Sequence, residues 1–143
     1  MSDDPRSKDI DFECQVERQV SVEAEAKYVS TLYHYHGTVA KVVDADTLDL
    51  HLDLGFKLTH EIRVRLVGVD AWETRGEERP KGREAAFRVF ELCGPGTEVY
   101  VKTQKDRKGK YGRYLAEIIL PREGWQSLGD ILVREGHAVP KAF

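Results

Sequence analysis

The chain has 143 residues, enough for one domain with a real core, and is 41% hydrophobic and 33% charged. Its formal net charge of −3 hides a split: residues 1–32 hold eight acids and four bases, residues 33–143 seventeen acids and eighteen bases. The body is therefore not a strongly basic nucleic-acid binder, and any attraction to phosphate must come from a local patch. No apolar run is long enough to cross a membrane, and the opening MSDDPRSKDIDFE is acidic and lacks an apolar run, so no secretory leader is expected. A cytoplasmic protein is the expectation, with a secreted, processed chain as the alternative.

Residues 1–11 read as a tail, polar and charged with Pro5. Residues 12–32 fit two templates about equally. Phe12, Cys14 and Val16 alternate as in a strand, while Val16, Val20, Ala24 and Tyr28 fall at helical spacing, and the helix is preferred. Residues 1–32 are thus an N-terminal tail or accessory segment, and 33–143 the folded domain.

From Tyr33 the pattern sharpens. HGTVAKVVD reads as a first strand. DTLDLHLDL alternates strictly, with Leu48, Leu50, Leu52 and Leu54 on one face, and Gly55 marks a hairpin turn. KLTHEIRVRLVGV follows as a third strand with Ile62, Val64 and Leu66 on its apolar face, and residues 70–79 read as a polar loop. A helix is expected over Pro80–Cys93, with Ala86, Val89, Phe90 and Cys93 as its buried stripe and Gly94-Pro95 as its stop. Cys93 reads there as a core residue; two distant cysteines make no disulfide framework, and CxxC is absent. Thr97–Gln104 is a fourth strand, KDRKGKYG a basic connecting loop and Arg113–Leu120 a fifth strand. Ser127 caps a last helix with Leu128, Ile131 and Leu132 inward and Gly136 at its end. The implied class is α+β, mainly β: a five-stranded OB-fold-like barrel with a helix between strands three and four and a C-terminal helix. Strand order alone leaves other small α+β folds open and does not give function.

Three clusters carry chemistry: Asp44-Ala45-Asp46-Thr47 between the first two strands, Arg65 to Thr74 running from strand three into the loop, and Lys110-Tyr111-Gly112-Arg113 before strand five. Carboxylates offer oxygen ligands to a hard cation. Arginine offers a planar fork that grips phosphate at two points and stays charged. Phosphodiester cleavage needs both, together with a group that activates water. Singly, each cluster has an ordinary reading, as a turn, a solvated strand face and a hairpin; their joint order is what informs.

In that order they resemble the staphylococcal nuclease family. The family's Asp-Gly-Asp-Thr segment is matched by DADT at 44–47, its arginine five residues ahead of an aspartate and Thr-Pro-Glu by RLVGVDAWE at 65–73, and its Lys-Tyr-Gly-Arg by KYGR at 110–113. The likeness spans roughly residues 36–138. It implies Asp46, Asp70 and the Ala71 carbonyl as ligands of one divalent ion, Ca²⁺, with Asp44 just outside them. It implies Glu73 as the carboxylate that activates water, Arg65 and Arg113 as the pair that holds the phosphate, and Lys110 and Tyr111 as contacts to the substrate's terminal phosphate and sugar. The implied activity is a calcium-dependent endonuclease cutting DNA and/or RNA at the 5′-oxygen side to leave 3′-phosphate ends. The alternative is an OB-fold domain that only binds nucleic acid. Such domains lose the acidic ligands or the arginines, and here Asp46, Asp70, Glu73, Arg65 and Arg113 are all present. No membrane partner is implied.

Two substitutions within the motifs stand out. Ala45 replaces the glycine of DGDT; if that position needs a positive φ, alanine would strain it by roughly 1 kcal/mol. Trp72 replaces the proline ahead of Glu73, and either packs or offers a base-stacking surface. His34 and His36 share a strand face and offer a minor transition-metal reading, with no Cys or His partner near in sequence. Lys102, Lys105, Arg107, Lys108, Lys110 and Arg113 form the basic patch, with Asp106 as its one acid. Well-known members of the family continue into a further helix after the point where this sequence reads HAVPKAF. Residues 12–32 are expected to cover the groove such a helix would fill, or to form an oligomer contact. Deleting residues 1–32 should then lower the melting temperature, and an unchanged melting curve would remove this reading.

Overall fold

The computed structural model describes residues 22–74, 76–108 and 112–141. The chain divides into two units, residues 1–32 and 33–143. In the first, residues 22–31 form a helix, α1. The Ser30 and Thr31 hydroxyls donate back to the Lys27 and Tyr28 carbonyls at its end, at 2.6 and 2.8 Å. The remainder of the 12–32 helix expectation, with Cys14, lies outside the described residues.

The second unit runs β1 (His34–Asp44), β2 (Thr47–Gly55), β3 (Leu58–Leu66), β4 (Val69–Ala71), α2 (Arg79–Cys93), β5 (Glu98–Lys108), β6 (Tyr114–Leu120), β7 (Gln126–Ser127), α3 (Leu128–Arg134) and β8 (Ala138–Pro140). Five strands close on themselves in the order β3-β2-β1-β5-β6, with β3 and β6 joined in parallel to complete the ring. Every other neighbour in the ring is antiparallel. This is the OB-type barrel the sequence implied, and α2 falls in the chain between the third and fourth barrel strands. Closure removes the exposed hydrogen-bonding edges an open sheet would leave.

The alternating leucines do what their period requires. Leu48, Leu50 and Leu52 are buried in the barrel interior with Val64, Leu66, Val99, Val101, Ile118 and Leu120. Leu54 departs from the expectation at 42% exposed. The alternation continues past the last layer of core, onto a hairpin tip where Phe56 and Lys57 both take positive φ, 52° and 60°. A two-residue turn of that hand matches the twist of the strands it joins.

The α2 stripe is shifted from its expected register. Val89 and Cys93 are buried as expected, but Gly82, Ala85 and Leu92 complete the buried face. Ala86 is only half-buried, and Phe87 and Phe90 are 65% and 54% exposed. Two adjacent apolar stripes satisfy the 3.6-residue period on this helix, and packing selects the one with the small residues, because α2 approaches the chain closely there. Cys93 sits in apolar surroundings that push its thiol up to about 12, so it is an inert core residue.

Two more expectations need correction. Residues 70–79 are not all loop: β4 pairs antiparallel with β8, Asp70 opposite Val139 and Ala71 opposite Ala138. Strands of three residues are too short to show alternation, so only the tertiary pairing reveals them. Ser127 does occupy the position before α3 with extended backbone, φ −71° and ψ 134°, but its side chain makes no capping bond. Its residue is instead recruited into β7, opposite Ile119. Leu128, Ile131 and Leu132 are buried as expected, and Gly136 ends the segment at φ 80°.

Helices α2 and α3 are linked at their surfaces. The Arg88 guanidinium donates through Nε and Nη2 to the Glu135 carboxylate, at 2.9 to 3.1 Å. This two-point contact holds the Glu135 carboxyl below the usual glutamate range and raises Arg88. A carboxylate depressed in the folded state contributes stability above its unfolded pKa and loses it as pH falls through the folded one. Glu135→Gln should therefore lower Tm slightly at neutral pH, with the difference vanishing in acid once the wild-type carboxyl is protonated. Thermal melts of both proteins across pH 7 to 3 check this, and a difference independent of pH would contradict it.

Candidate active site

The site forms where β3 ends. The β3 register sets Arg65 opposite Thr47 on one side and Leu115 on the other. Backbone bonds stitch the same region: Leu66 N–H donates to the Asp46 carbonyl at 2.8 Å and Val67 N–H to the Ala116 carbonyl at 3.0 Å. Gly68 then takes φ 80° in the tight turn that reverses the chain into β4, a conformation costly for any residue with a Cβ. The result brings the first two sequence clusters together.

Arg65 is the hub. It is only 9% exposed, as is Asp46. Its Nη2 donates both to Asp46 Oδ2 at 3.2 Å and to Asp70 Oδ1 at 2.9 Å, and Nη1 reaches the Val69 carbonyl at 3.4 Å. Asp46 is held from two further directions: Ala71 N–H donates to Oδ2 and the Thr47 hydroxyl to Oδ1, each at 3.2 Å. Arg113 joins through Thr47, its Nη1 donating to the Thr47 hydroxyl at 3.1 Å. One network therefore contains Asp46, Asp70, Arg65 and Arg113, with the Ala71 backbone bound into it. Thr47 is the residue that sequence reasoning passed over. It is buried although its alternation puts it on the strand's outer face, and a small polar side chain at a strand start between two acids and a barrel wall was the available signal.

Asp44 lies one step out, accepting from the Thr74 hydroxyl at 2.8 Å. That bond fastens the start of β2 to the segment just after Glu73. Glu73 itself is exposed. Its main chain is fixed by Gly82 of α2: a Cβ at that glycine would collide with the Glu73 carbonyl and the Thr74 nitrogen. Upstream, Trp72 N–H donates to the His137 carbonyl at 3.4 Å, and the indole N–H donates to the Gly136 carbonyl at 3.0 Å. Lys81 stands 4.9 Å from the centre of the Trp72 ring. Trp72 thus packs as a strut, half-buried, where a proline would have stiffened the chain through its own ring. Ala45 is not strained either: it is absent from the residues with positive φ, and its methyl is fully buried in the core.

Lys110 and Tyr111 lie outside the described residues. Of the basic patch, Lys102, Lys105 and Lys108 belong to β5, which extends four residues beyond the expected end at Gln104, and Lys108 sits 4.9 Å from the Tyr114 ring centre. His36 is engaged elsewhere, its Nε2 2.8 Å from Glu98 Oε1 and its ring against Tyr100. Among the described residues no group of three or more His, Cys, Asp and Glu gathers as a metal cage. The donors suited to a hard cation are the Asp46 and Asp70 carboxylates, which share a single cationic nitrogen of Arg65. Two acceptor-only carboxylates converging on one positive atom fit a divalent ion with oxygen ligands.

Fold and network define an OB-type barrel with an acidic pair and two arginines at one end. The chain matches the family model for staphylococcal nuclease homologues over residues 63–143, and it belongs to that family. It is similar to Endonuclease YhcR of Bacillus subtilis, 31% identical over 114 residues, which cover 73% of this chain and 9% of that protein. It is also similar to the uncharacterized protein MJ1439 of Methanocaldococcus jannaschii, 30% identical over 113 residues, covering 65% of this chain and 52% of that one. The chain spans a small part of the first relative and about half of the second.

The close approach at Gly82 gives a test of how Glu73 is held. Gly82→Ala gains helix propensity of about 1 kcal/mol, but the added methyl must displace the Glu73 backbone, an overpacking cost of about 1–3 kcal/mol. Tm should fall, as thermal melts of the two proteins would show. A higher Tm would show that the Glu73 backbone does not crowd Gly82.

Proposed function

We propose that this protein is a nuclease that hydrolyses phosphodiester bonds of DNA and/or RNA on the 5′-oxygen side and leaves 3′-phosphate ends. The observation that carries the reading is the single network of Asp46, Asp70, Arg65 and Arg113, buried or half-buried at one end of the barrel. Membership of the family and the likeness to a protein named as an endonuclease support it.

The roles follow from charge. Asp46, Asp70 and the Ala71 carbonyl would hold one divalent ion, for which calcium is the candidate. When bound, that ion would neutralise and polarise the substrate phosphate. Glu73 takes a proton from water as its oxygen attacks phosphorus, the bond from phosphorus to the 5′ oxygen breaks, and that oxygen takes a proton from solvent. Arg65 and Arg113 donate to the phosphoryl oxygens on which charge accumulates, and fixed donors of this kind act most strongly where water is excluded. Lys110 and Tyr111 would hold the flanking phosphate and sugar. Magnesium demands a tighter octahedron than two carboxylates and a carbonyl supply, and would support cleavage less well.

Single-stranded DNA and RNA incubated with the protein in calcium, magnesium and EDTA, followed by end-group analysis, test the reading. Cleavage in calcium, its loss in EDTA, and 3′-phosphate ends are expected. Glu73→Gln and Arg113→Ala should each reduce the rate by about 10²–10³-fold. A wild-type protein that binds nucleic acid in a salt-dependent way and cuts none would instead be a binding domain.

A further inference from the structure

Asp70 is clasped from both sides. Arg65 Nη2 lies 2.9 Å from its Oδ1, and Lys141 Nζ lies 3.7 Å from its Oδ2. The second contact is an ion pair without a hydrogen bond, between side chains that are about half exposed. Lys141 is not there by chance of a loose tail. Its N–H donates to the Gly68 carbonyl at 2.9 Å, and the three residues before it form β8, paired to the β4 strand that carries Asp70 and Ala71. The backbone that positions the acid thus also positions the ammonium. Lys141 lies outside the three clusters of chemistry-bearing residues in the sequence, and Asp70 is 71 residues distant in the chain.

We propose that Lys141 is a built-in competitor for the divalent cation: its ammonium occupies the outer oxygen of Asp70 and weakens ion binding at the Asp46–Asp70 pair. The inference rests on the reading of that pair as the ion site. A cation approaching Asp70 must displace Lys141 or bind beside its positive charge, and either raises the free energy of the bound state. Arg65 cannot fill the same role freely, because it is buried and also bound to Asp46 and the Val69 carbonyl. Lys141 ends a flexible stem and can swing into solvent. The consequence is a site that fills only at higher ion concentration than its carboxylates alone would require. The residue that follows β8 thereby becomes part of the proposed ion site.

Calorimetric titration of the full chain with calcium alone, without nucleic acid, reads this directly. Lys141→Met keeps the stem and removes the charge, and should bind calcium more tightly by roughly three- to ten-fold, a gain that shrinks as salt screens the ammonium. Lys141→Arg keeps the charge and should bind as the wild type does. Asp46→Asn should abolish binding in both backgrounds, which locates the ion at this pair. A merely structural Lys141 would not produce tighter binding on its loss. Equal or weaker binding by Lys141→Met, with the wild type still binding, would overturn the competitor role and leave the ion site standing. Absence of binding by wild type and Lys141→Met alike would overturn both the competitor role and the ion-site reading.

Discussion

A buried guanidinium between two carboxylates is the constraint on which this structure turns. Taking Arg65 out of water costs several kcal/mol unless its charge is matched. Asp46 and Asp70 match it, and the same arrangement answers the repulsion the two acids would otherwise feel. The chain must therefore bring the β1–β2 turn, the end of β3 and the start of β4 to one point, whatever else it does. Thr47 extends the requirement to the residue ahead of β6, because its hydroxyl accepts from Arg113 and donates to Asp46. Removing Arg65 would leave the buried Asp46 carboxylate without its cationic partner.

The barrel makes that convergence possible. Parallel pairing of β3 with β6 fixes Arg65 beside Leu115, two residues past Arg113, and thereby fixes the separation of the two arginines along the chain direction. Antiparallel pairing of β1 with β2 puts Asp44 opposite Thr47, so the acidic turn sits at the same end. The exposed Glu73 comes from a different source. No strand carries it; the absence of a side chain at Gly82, the Thr74–Asp44 bond and the Trp72 indole against Gly136 hold its backbone. Three modest contacts take the place of one proline.

The small sheet of β4 and β8 adds a second support with a different logic. It is too short to be stable by itself. It persists because Ala71 and Ala138 join the core beside α3, where Gly129 lets the helix approach Val69 closely. Through it the last described residues of the chain reach the acidic pair. The placement of Asp70 is consequently tied to the packing of α3 as well as to the barrel.

The sequence by itself determined the five barrel strands, the helix between the third and fourth, the last helix, and the identity of the charged residues. These rest on local rules: alternation over five or more residues, Gly and Pro at turns, and residue types that do chemistry at motif spacing. What it left open were choices settled only by distant partners. Ala85 and Leu92 rather than Ala86 and Phe90 face inward because α2 must approach Glu73, and two stripes had equal periodicity. Leu54 is exposed because the core ends at Leu52, a limit set by the opposing strands. The β4–β8 pair and Lys141 beside Asp70 were illegible because three-residue strands carry no period and the contact spans much of the chain. Ala45 was readable as a strained substitute until the turn's backbone showed φ in the ordinary range. Local patterning names the elements and the reactive groups; only the free energy of packing and of matching buried charge decides which of them meet.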